Sequence, residues 1–69
     1  MISIKERLPN EGEKTMCRVD FWRYNKIHHT EEMEAVYIGW NDIIGKPMWD
    51  IETYDEAFAE VTHWKEIIL

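Results

Sequence analysis

The chain has 69 residues, a formal net charge of −6 and four tryptophans within a 13% aromatic content. Its length predicts one domain over residues 1–69 with a small core, because a ~60-residue domain buries only about 60% of its unfolded surface. The acidic balance disfavours direct nucleic-acid binding, which depends on Lys and Arg at the phosphates. Cys17 is the single cysteine, so an intrachain disulfide is excluded.

The N-terminal sequence favours a cytoplasmic protein. MISIKERLP lacks the cationic region and the apolar run of a signal peptide, and no stretch approaches the ~20 apolar residues of a membrane span. A lone thiol also fits a reducing compartment. Small domains are often stabilised by a partner subunit, so we further expect that the chain can form a homo-oligomer.

Alternating apolar residues predict strands in the first part of the chain. Ile2 and Ile4 begin a half-buried strand. The sequence LPNEG at residues 8–12 then predicts a turn, because proline presets φ and glycine supplies positive φ. Residues 14–22 form the next predicted strand. Its predicted buried face carries Thr15, Cys17, Val19 and Phe21.

A central strand is predicted in the middle of the chain. After a reversal at Asn25-Lys26, residues 33–41 are apolar on both faces, which is typical of a strand with neighbours on both sides. Gly39 within this segment indicates a bulge or a close approach of another backbone. The glycine and proline between residues 42 and 47 then predict a loop.

The last part of the chain is predicted to contain two strands and a helix. Residues 48–53 alternate as a strand, and TYDE at 53–56 matches a capping box, which predicts a short helix over 54–60. Residues 61–69 return to a strand. The predicted fold class is mainly β: a small antiparallel meander or an SH3-like half-barrel of four or five strands, with one short helix near 54–60.

The two ends of the chain resemble a known family. ISIKERLPNEGEK at residues 2–14 and VTHW at residues 61–64 are similar to the opening and closing motifs of the phage and prophage family called domain of unknown function five-five-one. The matching positions are Ile2, Ser3, Ile4, Arg7, Leu8, Pro9 and Gly12 at the opening and Val61, Thr62, His63 and Trp64 at the close. Met1 replaces a usual Trp, and KEIIL at residues 65–69 replaces M-P-L-P. The resemblance implies a phage or prophage origin and brings no activity.

Histidines and glutamates are concentrated in residues 28–34 and raise the question of a metal site. Imidazole and carboxylate groups bind zinc or iron. If the segment is extended, however, His28 and His29 point to opposite faces and cannot easily share one ion. We therefore predict a solvated polar hairpin tip here, with no metal site and no cofactor.

His63 and Cys17 are the other residues with reactive side chains. His63 alternates with Trp64, which is the better core residue, so His63 should face a second surface, either as a structural histidine that donates to a backbone carbonyl or as a ligand contact. It has no partner for a Ser-His-Asp arrangement. Cys17 is predicted to lie in the core with a raised pKa, which makes it a poor nucleophile. No catalytic residue is predicted.

Aromatic and arginine side chains define the predicted binding surface. Trp, Tyr and Arg are enriched at interface hot spots, and Arg forms bidentate contacts with phosphate or carboxylate. The alternative is that the same aromatic residues form a second layer of the domain's own core. The predicted contact residues are Arg18, Trp22, Arg23, Tyr24, Tyr37 and His63.

Three functions remain open on the sequence. The first is a non-enzymatic, phage-encoded binding protein that attaches to a host or phage protein through an aromatic-rich sheet face. The second is a homo-oligomer that sequesters a small signalling nucleotide at a subunit boundary in phage counter-defence. The third is a minor hydrolase or metal enzyme, which is disfavoured because so short a domain offers little room for a water-excluding pocket.

Overall fold

A computed structural model of the chain describes residues 1–51 and 59–68, which form one antiparallel β-sheet. The strands are β1 (Ile2–Ser3), β2 (Lys14–Arg23), β3 (Lys26–Asn41), β4 (Lys46–Ile51) and β5 (Ala59–Glu66). Their order across the sheet is β1-β5-β2-β3-β4. In the described part of the chain there is no helix that could span a membrane.

The mainly β prediction is confirmed, and the topology is now specific. Strands β2, β3 and β4 form the predicted meander, and β5 returns to lie between β1 and β2. The sheet is open, with β1 and β4 as its edges, so it does not close as a barrel. The predicted helix over 54–60 falls mostly on residues 52–58, which lie outside the described residues. It is wrong for Ala59 and Glu60, because β5 holds them in register with Phe21 and Asp20.

One face of the sheet carries the core. The four residues predicted for the buried face of β2 are buried, as their alternation requires. Residues from β3 and β5 join them through cross-strand pairing, for example Thr15 with Ala35 and Cys17 with Trp64. The core cluster consists of Cys17, Val19, Phe21, Ala35, Val61 and Trp64, with Ile2, Ile4, Met33, Trp49, Ile51 and Ala59 packed against it.

The N-terminal segment is fastened to β5 at the edge of this core. Ile2 pairs with Trp64, and the Ile4 amide donates to the Thr62 carbonyl at 3.1 Å. Trp64 is only 2% exposed, and its indole N–H donates to the Arg7 carbonyl at 2.8 Å. The Arg7 guanidinium lies 5.3 Å from the centre of the Trp64 ring. The two end motifs of the family are therefore a single packed unit.

Strand β3 has 16 residues, more than any other described strand, and its pairing is irregular on both sides. The pairing register shifts between Phe21 and Trp22 on one side of β3 and between Tyr37 and Gly39 on the other. Such bulges bend a strand and increase its twist.

Gly39 lies at the bulge, which is one of the two roles that the sequence predicted for it. It follows the bulge with a φ of +117°, a conformation that favours glycine. A Cβ at this position would lie 2.7 Å from a Glu11 carboxylate oxygen, which is the far end of a flexible side chain and not another backbone. Backbone strain is therefore the main obstacle to a side chain at residue 39.

We expect that Trp64→Phe lowers the free energy of unfolding by about 1–3 kcal/mol, because the Arg7 carbonyl loses its donor and the smaller ring leaves a gap. Ile68→Ala is the matched control at a 91% exposed position and should change it by less than about 0.5 kcal/mol. Urea unfolding followed by far-ultraviolet circular dichroism measures both. Equal stability of the Trp64 variant and the control would contradict the closing role of Trp64.

Candidate functional site

The face of the sheet opposite the core is polar, and Arg18 lies in the middle of it. Arg18 is in register with His63 on β5 and with Glu32 on β3, and His63 is in turn in register with Ser3 on β1. These four residues form a row across four strands. Arg18 and His63 are thus neighbours in the sheet. Thr62, which precedes His63, is hydrogen-bonded to the Arg18 carbonyl although the two residues are 44 positions apart in the sequence. We call this surface the polar face.

The Thr62 hydroxyl links the His63 ring to the Arg18 carbonyl. The Thr62 hydroxyl donates to the Arg18 carbonyl at 3.3 Å, and it lies 3.0 Å from His63 Nδ1. When the single hydroxyl proton is directed at the Arg18 carbonyl, the hydroxyl oxygen accepts a hydrogen bond from the tautomer of His63 that carries its hydrogen on Nδ1. One expectation for His63 was a hydrogen bond from its ring to a backbone carbonyl. Instead, the Thr62 hydroxyl lies between the ring and the Arg18 carbonyl.

Three of the predicted contact residues lie together at the turn between β2 and β3. Tyr24 and Asn25 have φ values of 53° and 62°, the positive values of a type I′ turn, which fits the twist of a two-residue hairpin. Arg23 pairs with Lys26, and Trp22 pairs with Ile27. The turn lies one residue earlier than the predicted reversal. We call residues 22–27 the hairpin tip.

The hairpin tip presents large apolar side chains to solvent. Tyr24 is 91% exposed, Ile27 51% and Trp22 37%. The strand pair behind it is braced by two contacts. Thr30 donates to an Asp20 carboxylate oxygen at 2.7 Å, and the rings of Phe21 and His29 stack with centroids 4.6 Å apart.

Tyr37 does not belong to the predicted binding surface. It is only 5% exposed, and its ring centroid lies 5.1 Å from that of Trp49 on the core face. Burial and the Glu11 carboxylate raise the pKa of its phenol. The prediction was wrong because Tyr37 lies in register with Trp49, which places the two rings on the same face. Of the three aromatic residues predicted for the binding surface, Trp22 and Tyr24 are exposed and Tyr37 is buried.

The histidine-rich segment was also misplaced. Residues 28–34 were expected to form the hairpin tip, but they belong to β3, since the turn is at residues 24–25. His29 lies 3.8 Å from a Glu31 carboxylate oxygen and edge-on to His28. Within residues 1–51 and 59–68 no group of three His, Cys, Asp or Glu side chains is arranged to hold a metal ion.

Cys17 is confirmed as a core residue. Its side chain is fully buried, and its sulfur lies 3.2 Å from the Thr15 hydroxyl, which donates to the Ala35 carbonyl. Burial raises the pKa of the Cys17 thiol, and the Thr15 hydroxyl opposes this with a smaller effect. The Cys17 side chain is therefore part of the core packing.

An exposed apolar cluster at the other end of β3 was missed by the sequence analysis. It surrounds the turn between β3 and β4, and we call it the β3–β4 end. The adjacent isoleucines of the predicted loop at 42–47 were the available signal, since a solvated loop rarely needs two of them. Its members are Ile38, Trp40, Ile43, Ile44 and Met48, exposed by 56%, 52%, 94%, 56% and 37%.

These features define a class of protein. It is a small antiparallel β-sheet domain with an N-terminal segment packed onto the last strand, a polar face and two hairpin ends that expose apolar side chains. The chain belongs to the family described as "Protein of unknown function (DUF551)", whose model matches residues 2–67. The family resemblance of the two end motifs is thereby confirmed. No curated protein and no solved structure matches the chain.

We expect the folded protein to lose stability as the pH rises above about 9. The folded-state pKa of Cys17 is raised above its ordinary value of 9.0, and that of Tyr37 above 10.0. At alkaline pH the unfolded chain releases these protons before the folded chain does, so stability is fully present below pH 9.0 and falls as the pH rises through the folded values.

Urea unfolding midpoints at about pH 8, 9.5 and 10.5 measure this effect. Cys17→Ala should be less stable than the wild type at about pH 8 and show a smaller loss between about pH 8 and 9.5. An identical pH dependence in both proteins would show that the buried thiol does not contribute.

Proposed function

We propose that the protein is a small, non-enzymatic binding domain that recognises a partner protein through its hairpin tip. The observation that carries the proposal is the type I′ turn at Tyr24 and Asn25, which holds Trp22, Tyr24 and Ile27 in solvent at the end of a braced strand pair. Trp, Tyr and Arg carry much of the energy of protein interfaces. This tip offers all three in six residues.

The rigidity of the tip supports the proposal. A two-residue type I′ turn has few alternative conformations, and the pairing of Trp22 with Ile27 fixes the register behind it. A preorganised contact loses less conformational entropy on binding than a flexible loop does. The hairpin tip therefore loses its conformational entropy when the chain folds, before any partner binds.

The charge of the tip indicates the kind of partner surface. Residues 22–27 contain Arg23 and Lys26 and no acid, whereas the chain as a whole has a net charge of −6. An acidic surface with an apolar centre would complement this tip. Within the proposal the partner is a host or phage protein, in keeping with the phage or prophage origin that the end motifs imply. The encounter takes place in the cytoplasm, as the N-terminal sequence and the lone thiol favour.

A quantitative pull-down from host cell lysate tests the proposal. We expect the tagged wild type to enrich one or more proteins, and the double variant Trp22→Ser/Tyr24→Ser to lose at least about 90% of that enrichment, as removal of two hot-spot aromatics requires. Ile68→Ser is the control at an exposed apolar position away from the tip. Equal capture by wild type and tip variant would overturn the proposal.

A second candidate function is sequestration of a small anionic ligand, such as a signalling nucleotide, on the polar face. The observation in its favour is the registration of Arg18 with His63, whose Nδ1 lies 3.0 Å from the Thr62 hydroxyl, while Nε2 has no hydrogen bond to residues 1–51 or 59–68. A guanidinium beside an imidazole suits a phosphate group. Glu32, on the other side of Arg18, would repel a phosphate group. Within this candidate function a second subunit therefore supplies the remaining contacts to the ligand.

Thermal-shift measurements with a nucleotide panel test this second candidate. A ligand at 100 times its Kd should raise the stability by roughly 2.7 kcal/mol, and Arg18→Ala should abolish the shift. Lys65→Ala is the control, since Lys65 pairs with Met16, two register positions from the Arg18–His63 pair. A nucleotide that stabilises the Arg18 variant as much as the wild type would place the ligand elsewhere.

A further inference from the structure

The β3–β4 end is a preorganised apolar surface. The Asn41 side-chain oxygen accepts hydrogen bonds from the amides of Ile43 and Ile44 at 2.9 and 3.3 Å, and the Gly45 amide donates to the Asn41 carbonyl at 2.8 Å. These bonds close the turn and direct the two isoleucines into solvent, where they are 94% and 56% exposed. A run of exposed apolar side chains of this kind marks an interaction site.

The border of this end is acidic. Asp42 lies in the turn, a Glu11 carboxylate oxygen lies beside Gly39 of β3, and Asp50 lies on β4 two residues after Met48. Against these three acids stands Lys46, because Lys14 forms an ion pair with Glu34 at 3.0 Å. Among these described residues the local charge is therefore −3 + 1 = −2.

The hairpin tip has the complementary character. It combines three exposed apolar side chains with Arg23 and Lys26, a local charge of +2 without any acid in residues 22–27. The tip begins β3 and the β3–β4 end terminates it, so one copy carries both surfaces but presents them at opposite ends of one strand. Opposite charges around apolar centres favour docking of one on the other.

We propose that the β3–β4 end binds the hairpin tip of a second copy of this chain, in a head-to-tail contact. The inference rests on the proposed function, since it uses the same tip and names an acidic, apolar surface that the tip fits. The aromatic tip covers the exposed isoleucines, and Arg23 and Lys26 face the acidic border. Because the two surfaces differ, the contact is heterologous, and it extends to a chain of copies or closes as a ring.

Two other arrangements of the same residues are less favourable. A twofold contact between two β3–β4 ends would bring two acidic borders together. Backbone pairing between two copies of edge strand β4 would meet Pro47, which has no amide hydrogen, beside Lys46. Lysine and proline are the residues that block pairing at sheet edges. The head-to-tail contact avoids both obstacles.

Sedimentation velocity over about 10 µM to 1 mM tests the inference with two variants of exposed residues. The tip variant is Trp22→Ser/Tyr24→Ser, and the end variant is Ile43→Ser/Ile44→Ser. We expect the wild-type mass to rise above the 8.4 kDa of the monomer with concentration. Each variant alone should associate at least about tenfold more weakly. A 1:1 mixture should form a dimer and stop there, since it retains one intact tip and one intact end.

Several results separate the possibilities. Circular dichroism confirms that both variants remain folded, and Ile68→Ser, at a 91% exposed position on neither surface, should associate like the wild type. Association should also weaken several-fold from about 50 to 500 mM salt, because charge attraction contributes to it. Self-association of the tip variant at wild-type strength, or a mixture that stays monomeric, would overturn the head-to-tail contact.

A wild type that is monomeric at 1 mM overturns this inference and leaves the proposed function intact, because the lysate experiment presents the tip to a foreign protein. The reverse outcome is equally distinct. If head-to-tail association depends on the tip while lysate capture does not, the self-contact stands and the proposed recognition of a foreign protein fails.

Discussion

The hydrogen bond from the Trp64 indole to the Arg7 carbonyl is the contact on which the rest of the structure depends. A sheet of this size exposes one apolar face unless something lies across it, and a chain of 69 residues has little material to spare. The segment before β2 supplies part of that cover, and Trp64 fastens it from β5. The contact lies next to the pairing of β1 with β5, in which Ile2 is in register with Trp64.

That closure also explains why exposed side chains concentrate at the hairpin ends. The N-terminal segment covers the core beside β5 and passes close to β3 at Gly39. At the tip, β2 and β3 continue to pair with each other beyond Phe21 and Ala59, the last pair described between β2 and β5. Trp22, Tyr24 and Ile27 lie in this extension and are exposed. Interaction surfaces arise from exposed apolar residues of this kind.

The polar face has a different origin. Strand alternation puts Arg18 opposite the core residues Cys17 and Val19, and the regular register between β2 and β5 ahead of the bulge places His63 beside it. The bulge between Arg18 and Val19 interrupts that register and bends the strand. Arg18 and His63 therefore form a pair only because β5 returns next to β2, and neither residue reveals the other in the sequence.

Much of the core was predictable, but the candidate site was only partly so. The alternation of Thr15, Cys17, Val19 and Phe21 is strict. Successive side chains of a strand point to opposite faces, so only one set of alternate residues can face the core. Tyr37 was not predictable in the same way, because residues 33–41 are apolar on both faces and periodicity cannot choose between them. The hairpin turn was found to within one residue, whereas His28 and His29 were assigned to a turn that ends before them.

By itself the sequence determined a β-rich domain, the buried phase of β2, the burial of Trp64 and the family of the chain. These follow from local periodicity and from motifs that are contiguous in the chain. Only the tertiary structure decided that Tyr37 faces the core, that Arg18 lies beside His63, and that Ile43 and Ile44 remain exposed. Each of these depends on which strands become neighbours, and strand order is set by long-range packing that no local pattern encodes.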